Sequence, residues 1–308
     1  MFSFLLRILL CSQLALALGP PAGSIKNLVT FGDSYSDINS ASDGSALLWP
    51  QYAAMYGNFS LFPYAKNSAV CNSTMTPRTP GPGILQDELP AYFSNASSGL
   101  SLDPQETVYT LWIGTNDLGS DTTVTGHDAP GTTLVDLAAC PLEWIKEIHS
   151  HGGRNFIIQN VVPLQYAIEY QAGGYLTGYY PIPHNTTEWN IMITQFVAAY
   201  NQLTKFMLQN LTPTLPDTHI GVFSSYALFM DIHANPQRYL NGTAPLNVTG
   251  CIHSCPVDGT CTIVNGTDRD SYMWYDELHP SEQTDRVVAR ALTDAITRKS
   301  EEWITWLS

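Results

Sequence analysis

Ser34 stands in Gly32-Asp33-Ser34-Tyr35, directly after the apolar run Leu28-Val29-Thr30-Phe31, so a serine falls where a buried strand would open into a polar turn. A serine hydroxyl is a weak nucleophile until a base takes its proton, a third group orients that base and donors meet the developing oxyanion. The chain holds candidates for each role. Asp276-Glu277-Leu278-His279-Pro280-Ser281 sets a carboxylate three residues before a histidine, and Leu111-Trp112-Ile113-Gly114-Thr115-Asn116-Asp117 ends a second strand-like run on an asparagine amide. Each block alone has an ordinary explanation. Gly, Asp and Ser all suit turns, Gly-Thr-Asn-Asp suits a loop after a strand, and Asp276 with His279 suits a solvated pair ahead of a helix. Together they supply nucleophile, base, orienting acid and oxyanion donor, which is the inventory of acyl transfer through a serine.

In these three blocks, and in this order, the chain resembles the SGNH (GDSL-type) ester hydrolases, whose motifs read GDS, GxND and DxxH. Between them, Tyr64-Ala65-Lys66-Asn67-Ser68-Ala69-Val70-Cys71 and Arg154-Asn155-Phe156-Ile157-Ile158-Gln159-Asn160-Val161-Val162-Pro163-Leu164 resemble segments of the fungal acetylesterases of carbohydrate esterase family 16. The likeness runs from about residue 25 to about residue 300 and is thinnest between about 165 and 270. It implies Ser34 as nucleophile, His279 as general base and Asp276 as its orienting partner. The implied oxyanion donors are the Ser34 backbone N–H, the Asn116 side-chain amide and the backbone N–H at position 68. Ser68 is a departure, since the family usually has glycine there, although Ala69-Val70-Cys71 beside it keeps the alignment. No metal or cofactor is implied.

The same resemblance implies a substrate: acetyl groups on partly deacetylated hemicellulose fragments, chiefly acetylated xylo-oligosaccharides, removed by an enzyme secreted by a fungus. Tyr35, Trp49, Trp274 and Tyr275 flank the candidate site and offer flat surfaces for a sugar ring, with ordinary packing as the competing role for each. Two other functions compete with this one. A GDSL-type lipase or phospholipase would use the same chemistry on longer acyl chains. A catalytically silent cell-wall or carbohydrate-binding protein would use the same scaffold, but the complete Ser34, Asp276 and His279 set argues against it.

Such a site needs strands to carry it. Strand-like runs fall at about 25–31, 107–113, 155–161 and 219–224 with helical patterns between them, an alternation that predicts a parallel sheet with right-handed crossovers. From Thr133 to His151, Leu134, Leu137, Ile145 and Ile148 share a helical face; Ser281 suits the N-cap of a last helix that turns Val288, Leu292, Ala295 and Ile296 inward. The expected fold is α/β, a three-layer helix-sheet-helix sandwich; the resemblance adds that its mainly parallel sheet is flavodoxin-like. The site then belongs beyond the carboxyl ends of the strands, where Ser34 and Asn116 both fall.

Length and composition agree with one such domain. The 308 residues are 44% hydrophobic, enough for a large core, and no linker divides them. Residues 1–19 join Arg7, a short apolar stretch and small residues through Ala17-Leu18-Gly19, which reads as a secretory signal peptide cut near 17–19, leaving 20–308 as a single hydrolase domain. No later segment offers the run of about twenty apolar residues that a membrane anchor needs. Sequons begin at Asn58, Asn72, Asn95, Asn185, Asn210, Asn241, Asn247 and Asn265, as in a eukaryotic secreted glycoprotein. Past Cys11, five cysteines remain: Cys71, Cys140, Cys251, Cys255 and Cys261. Spacing does not fix their pairing; Cys71 with Cys140 and one bridge within the last three is the expectation, with a zinc knuckle as its rival.

A net charge of −14 and a pI near 4.7 argue against nucleic acid and anionic membrane surfaces as partners, both of which call for basic patches. An uncharged substrate fits better. His149-Ser150-His151 and His127-Asp128 raise a metal-dependent deacetylase as a further alternative, but the first pair falls at a helix end beside Gly152-Gly153, where a solvent position is expected.

Overall fold

The computed structural model describes residues 19–40, 46–77 and 81–308. The proposed signal segment, apart from Gly19, therefore lies outside the described residues. Strands β1 (Asn27–Gly32), β2 (Ser60–Pro63), β3 (Thr107–Trp112), β4 (Asn155–Gln159) and β5 (His219–Phe223) run parallel in the order 2-1-3-4-5. A last strand, β6 (Ile304–Trp306), pairs antiparallel with the outer edge of β5. This is the expected flavodoxin-like order with one strand added.

Side chains alternate along each strand, so the sheet has two apolar faces. Leu28, Val108, Trp112 and Ile157 join one core, while Val29, Phe31, Tyr109, Leu111, Phe156 and Ile158 join the other. The first face is covered by α1 (Trp49–Gly57), α6 (Ser225–Ala234) and α7 (Glu282–Ile296), and the second by α2 (Leu89–Ser97) and α4 (Leu134–Ser150). The long α5 (Thr186–Leu211) gives Trp189, Ile193 and Val197 to the first core and Leu208 and Leu211 to the second. A single turn, α3 (Thr115–Leu118), follows β3.

The expected helix faces hold. Leu137, Ile145 and Ile148 are buried and Leu134 is partly buried; Ser281 Oγ accepts the Thr284 N–H at 3.1 Å, and Val288, Leu292, Ala295 and Ile296 are buried. The run read as 155–161 stops two residues early. The Asn160 N–H still donates to the Phe223 carbonyl on β5 at 3.1 Å, and the Val161 N–H then turns to the Asn201 side chain at 3.0 Å.

Two disulfides form, Cys71–Cys140 and Cys255–Cys261, and Cys251 stays a buried thiol. The second bridge consumes two sulfurs that a zinc knuckle would use. Among the described residues, no helix is long and apolar enough to cross a membrane.

Candidate active site

Ser34 lies two residues beyond the end of β1, in a turn fixed by its own neighbours. Asp33 Oδ1 accepts the Tyr35 N–H at 3.0 Å, and the Asp33 carbonyl accepts the Ser36 and Asp37 N–H groups at 2.9 and 3.0 Å. Gly32 is required here: its φ is +148°, and a Cβ would stand 2.4 Å from the Trp112 carbonyl oxygen on β3. In the strand order, β1 and β3 are the neighbours between which the winding reverses, so the turn after β1 and Asn116 after β3 face the same crevice.

The histidine arrives from a bulb between a short strand (Tyr272–Trp274) and α7. Its neck is closed by Tyr275 N–H to the His279 carbonyl, 2.8 Å, and by Ser281 N–H to the Met273 carbonyl, 2.9 Å. Inside it, Asp276 Oδ1 accepts the backbone N–H groups of Leu278 (2.9 Å) and His279 (2.7 Å), which fixes the carboxylate before it meets the imidazole. The Tyr35 hydroxyl donates to the Leu278 carbonyl at 2.7 Å and ties the bulb to the serine turn.

Three side chains are thereby brought into line. His279 Nε2 lies 2.8 Å from Ser34 Oγ, and His279 Nδ1 lies 3.0 Å from each oxygen of Asp276. Burial works against the charged imidazole, but the charge and hydrogen bond of Asp276, together with the Asp33 charge, outweigh it and raise the His279 pKa above 6.5. Burial likewise opposes the Asp276 charge, yet the imidazole and the hydrogen bonds it accepts hold its pKa below the usual value.

The three expected oxyanion donors border one small void of about 60 Å³, together with Tyr170 and Tyr179. Among the described residues no acceptor takes the Ser34 or Ser68 backbone N–H. Asn116 donates one amide hydrogen to the Ala69 carbonyl at 2.9 Å, which orients the group beside Ser68. The loop carrying Ser68 is itself anchored. Buried Glu88 accepts Gly32 N–H with one oxygen (3.1 Å) and Lys66 N–H with the other (3.0 Å), and Asp37 accepts Asn67 N–H at 2.8 Å. Ser68 has φ +63°, in the left-handed region, which explains the family's glycine there.

A larger cleft of about 300 Å³ adjoins this void, sharing Ser34, Asn67, Ser68, Tyr179 and His279 with it, and is further walled by Tyr35, Leu48, Tyr275, Pro280 and Asp285. The aromatic expectation needs correction. Trp49 and Trp274 are wholly buried and present no ring to it, because both fill the core under α1 and α7; Tyr275 does line the cleft. Sequence reasoning missed Tyr179, whose hydroxyl donates to Asp276 Oδ2 at 2.9 Å and lies 3.0 Å from His279 Nδ1. It comes from a segment without regular structure 97 residues before Asp276, where no motif marks it.

Two of the other flagged histidines, His151 and His127, go to separate partners. His151 stacks on Phe93 and its Nδ1 donates to the Glu147 carbonyl at 2.8 Å, while His127 Nδ1 meets the Thr125 hydroxyl at 3.0 Å and Asp128 accepts the Thr123 hydroxyl.

A doubly wound α/β sheet with a serine, an imidazole and an amide gathered at its switch point is the SGNH hydrolase arrangement. The profile of the GDSL-like lipases and acylhydrolases matches residues 28–292, and the chain belongs to that family; it is a carboxylic ester hydrolase. It is 29% identical to an acetylesterase of Hypocrea jecorina over 93% of both chains, and 23% identical to an acetylesterase of Thermothelomyces thermophilus over 88% of both. Among solved structures it resembles a catalytic mutant of an acetylxylan esterase from Geobacillus stearothermophilus, with 13% identity, a TM-score of 0.48 and coverage of 91% of this chain and 96% of that one.

Proposed function

We propose that this chain is a secreted acetylesterase that removes O-acetyl groups from acetylated hemicellulose oligosaccharides. Ser34 Oγ attacks the acetyl carbonyl carbon while His279 Nε2 takes its proton. The oxyanion is met by the Ser34 and Ser68 backbone N–H groups and the Asn116 amide. The tetrahedral adduct collapses as His279 returns the proton to the leaving sugar oxygen. Water, deprotonated by the same imidazole, then cleaves the acetyl-serine and releases acetate. Asp276 holds the imidazole tautomer and stabilises the imidazolium.

The observation that carries the acetyl reading is the likeness to two fungal acetylesterases, one of them matched over 93% of both chains. The carbonyl oxygen must lie among the oxyanion donors that border the void of about 60 Å³, and the adjoining cleft of about 300 Å³ leaves room for the rest of the ester. The leader-like residues 1–19, the two disulfides and exposed sequon asparagines such as Asn58, Asn95 and Asn210 support secretion of a single mature domain.

The test is a substrate series. 4-Nitrophenyl acetate is expected to be hydrolysed faster than the octanoate, and acetylated xylo-oligosaccharides faster than the intact polymer. A faster octanoate reaction would replace this reading by that of a lipase. Ser34→Ala is expected to lower kcat by about 10⁴-fold or more with an unchanged melting curve and to abolish labelling by a fluorophosphonate.

A further inference from the structure

Three oxygens surround His279 Nδ1. Both Asp276 oxygens lie 3.0 Å from it, and so does the Tyr179 hydroxyl. That hydroxyl donates its proton to Asp276 Oδ2 at 2.9 Å, which leaves its lone pairs for the imidazole. Burial, and then the charge of Asp276, keep the proton on Tyr179 well above the ordinary tyrosine range. With acceptors gathered around Nδ1, the ring proton belongs there, and Nε2 presents its lone pair to Ser34 Oγ at 2.8 Å.

Core packing does not account for this tyrosine, which is 39% exposed. Its backbone is nevertheless fastened. Buried Thr177 accepts the Tyr179 and Tyr180 N–H groups on its hydroxyl at 3.2 and 3.4 Å and donates that hydroxyl to buried Glu169, while the Tyr180 ring packs on Trp189 with centroids 4.8 Å apart. An exposed ring is thereby held with its hydroxyl turned onto the carboxylate and the imidazole. Asp276 does not depend on it for placement, since the Leu278 and His279 N–H groups already fix the carboxylate through Oδ1. What the hydroxyl adds is an acceptor for Nδ1–H that is independent of the carboxylate.

We propose that Tyr179 is a positioning residue for the base: its hydroxyl accepts the His279 Nδ1–H jointly with Asp276 and holds the same tautomer when the carboxylate is removed. This rests on the reading of Ser34 as nucleophile and His279 as base, and not on which acyl group or alcohol is cleaved. The tautomer decides whether Nε2 can take the serine proton, and the wrong one costs about 10⁴-fold in sites of this kind.

The experiment is a double-mutant cycle of Tyr179→Phe and Asp276→Ala on 4-nitrophenyl acetate. Tyr179→Phe alone should lower kcat by about threefold to tenfold and leave KM within about twofold, because Asp276 still orients the ring. Asp276→Ala alone should cost about 10²-fold, since Tyr179 keeps the proton on Nδ1. The double variant should lose about 10⁴-fold or more, beyond the product of the single losses. NMR of protein labelled in its histidine rings reads the tautomer directly: Nδ1–H in the wild type and in each single variant, Nε2–H in the double variant. A melting curve verifies that each variant is folded. A double variant that loses no more than the product of the single losses, or an Asp276→Ala variant whose ring proton has moved to Nε2, overturns the proposal. A His279→Ala variant that keeps its turnover would instead remove the base itself, and the proposal with it.

Discussion

At Ser68 one backbone angle decides what a substitution does. With φ at +63°, a side chain costs about 1–2 kcal/mol that glycine avoids, whereas replacing it with glycine costs about 0.5–1 kcal/mol in unfolded-chain entropy. Strain outweighs entropy, so Ser68→Gly should raise the midpoint of denaturant unfolding slightly and leave kcat within about threefold, since the proposed role uses only the backbone N–H. Asn116→Ala removes a side-chain donor and should lower kcat by about 10²- to 10³-fold. Equal losses in the two variants, with the fold intact, would assign the Ser68 hydroxyl a part in the reaction. The base sets the pH profile. As the proposed base, His279 works only when neutral, and its pKa is raised by Asp276, so the acid limb of kcat/KM should fall above 6.5. Asp276→Asn should move that limb to lower pH, and a profile flat through the imidazole range would remove His279 as the base. That Ser34, Asp276 and His279 would be brought together could be read because each lies in a short local motif. Tyr179 and Glu88 could not be read, because they act on the site through contacts 97 and 56 residues distant in sequence, and a single sequence gives no sign of such contacts.

Among the elements, β1, β3, β4 and β5 could be read from the sequence because they are central strands buried on both faces, which compels continuous apolar runs. The edge strands escaped. β2 is four residues, Ser-Leu-Phe-Pro, with its ends exposed, and β6 is three residues whose pairing with β5 rests on backbone bonds rather than on pattern. The alternation therefore gave the layers and the side of the sheet that carries the site, but not its antiparallel edge. The Cys71–Cys140 bridge has a further effect at this scale, because it fastens the loop that carries Ser68 to α4. Cys71 also donates its N–H to Asp117 Oδ1 at 2.9 Å, joining that loop to the Asn116 turn. A bridge spanning 69 residues confers about 4 kcal/mol by restricting the unfolded chain. The Cys71→Ala/Cys140→Ala double variant should lose stability of that order in equilibrium unfolding; a loss below about 1 kcal/mol would mean that packing alone holds the loop.

For the whole molecule, the buried carboxyls set a stability optimum that opposes the activity optimum. Burial raises Asp117 and Glu169 each to about 7, and raises Glu88 and Asp285 well above their ordinary values. A carboxyl whose pKa is higher in the folded than in the unfolded chain stays protonated in the fold after the unfolded chain has released its proton. Between about pH 4 and 7 the folded state thus binds more protons, and stability declines as pH rises through that range. His279, also raised, contributes in the same direction, while Asp276, lowered, opposes it only at more acid pH. Mutual repulsion within a chain of formal net charge −14 adds to the decline. The melting temperature should therefore be highest near pH 4 and fall by roughly 5 °C or more by pH 8, although the neutral imidazole needed for turnover accumulates over the same interval. Asp285→Asn and Asp117→Asn, which cannot ionise, should each flatten the curve. A melting temperature that rises steadily from pH 5 to pH 8 would mean that these carboxyls ionise inside the fold at little cost, with water or an unrecognised donor solvating them.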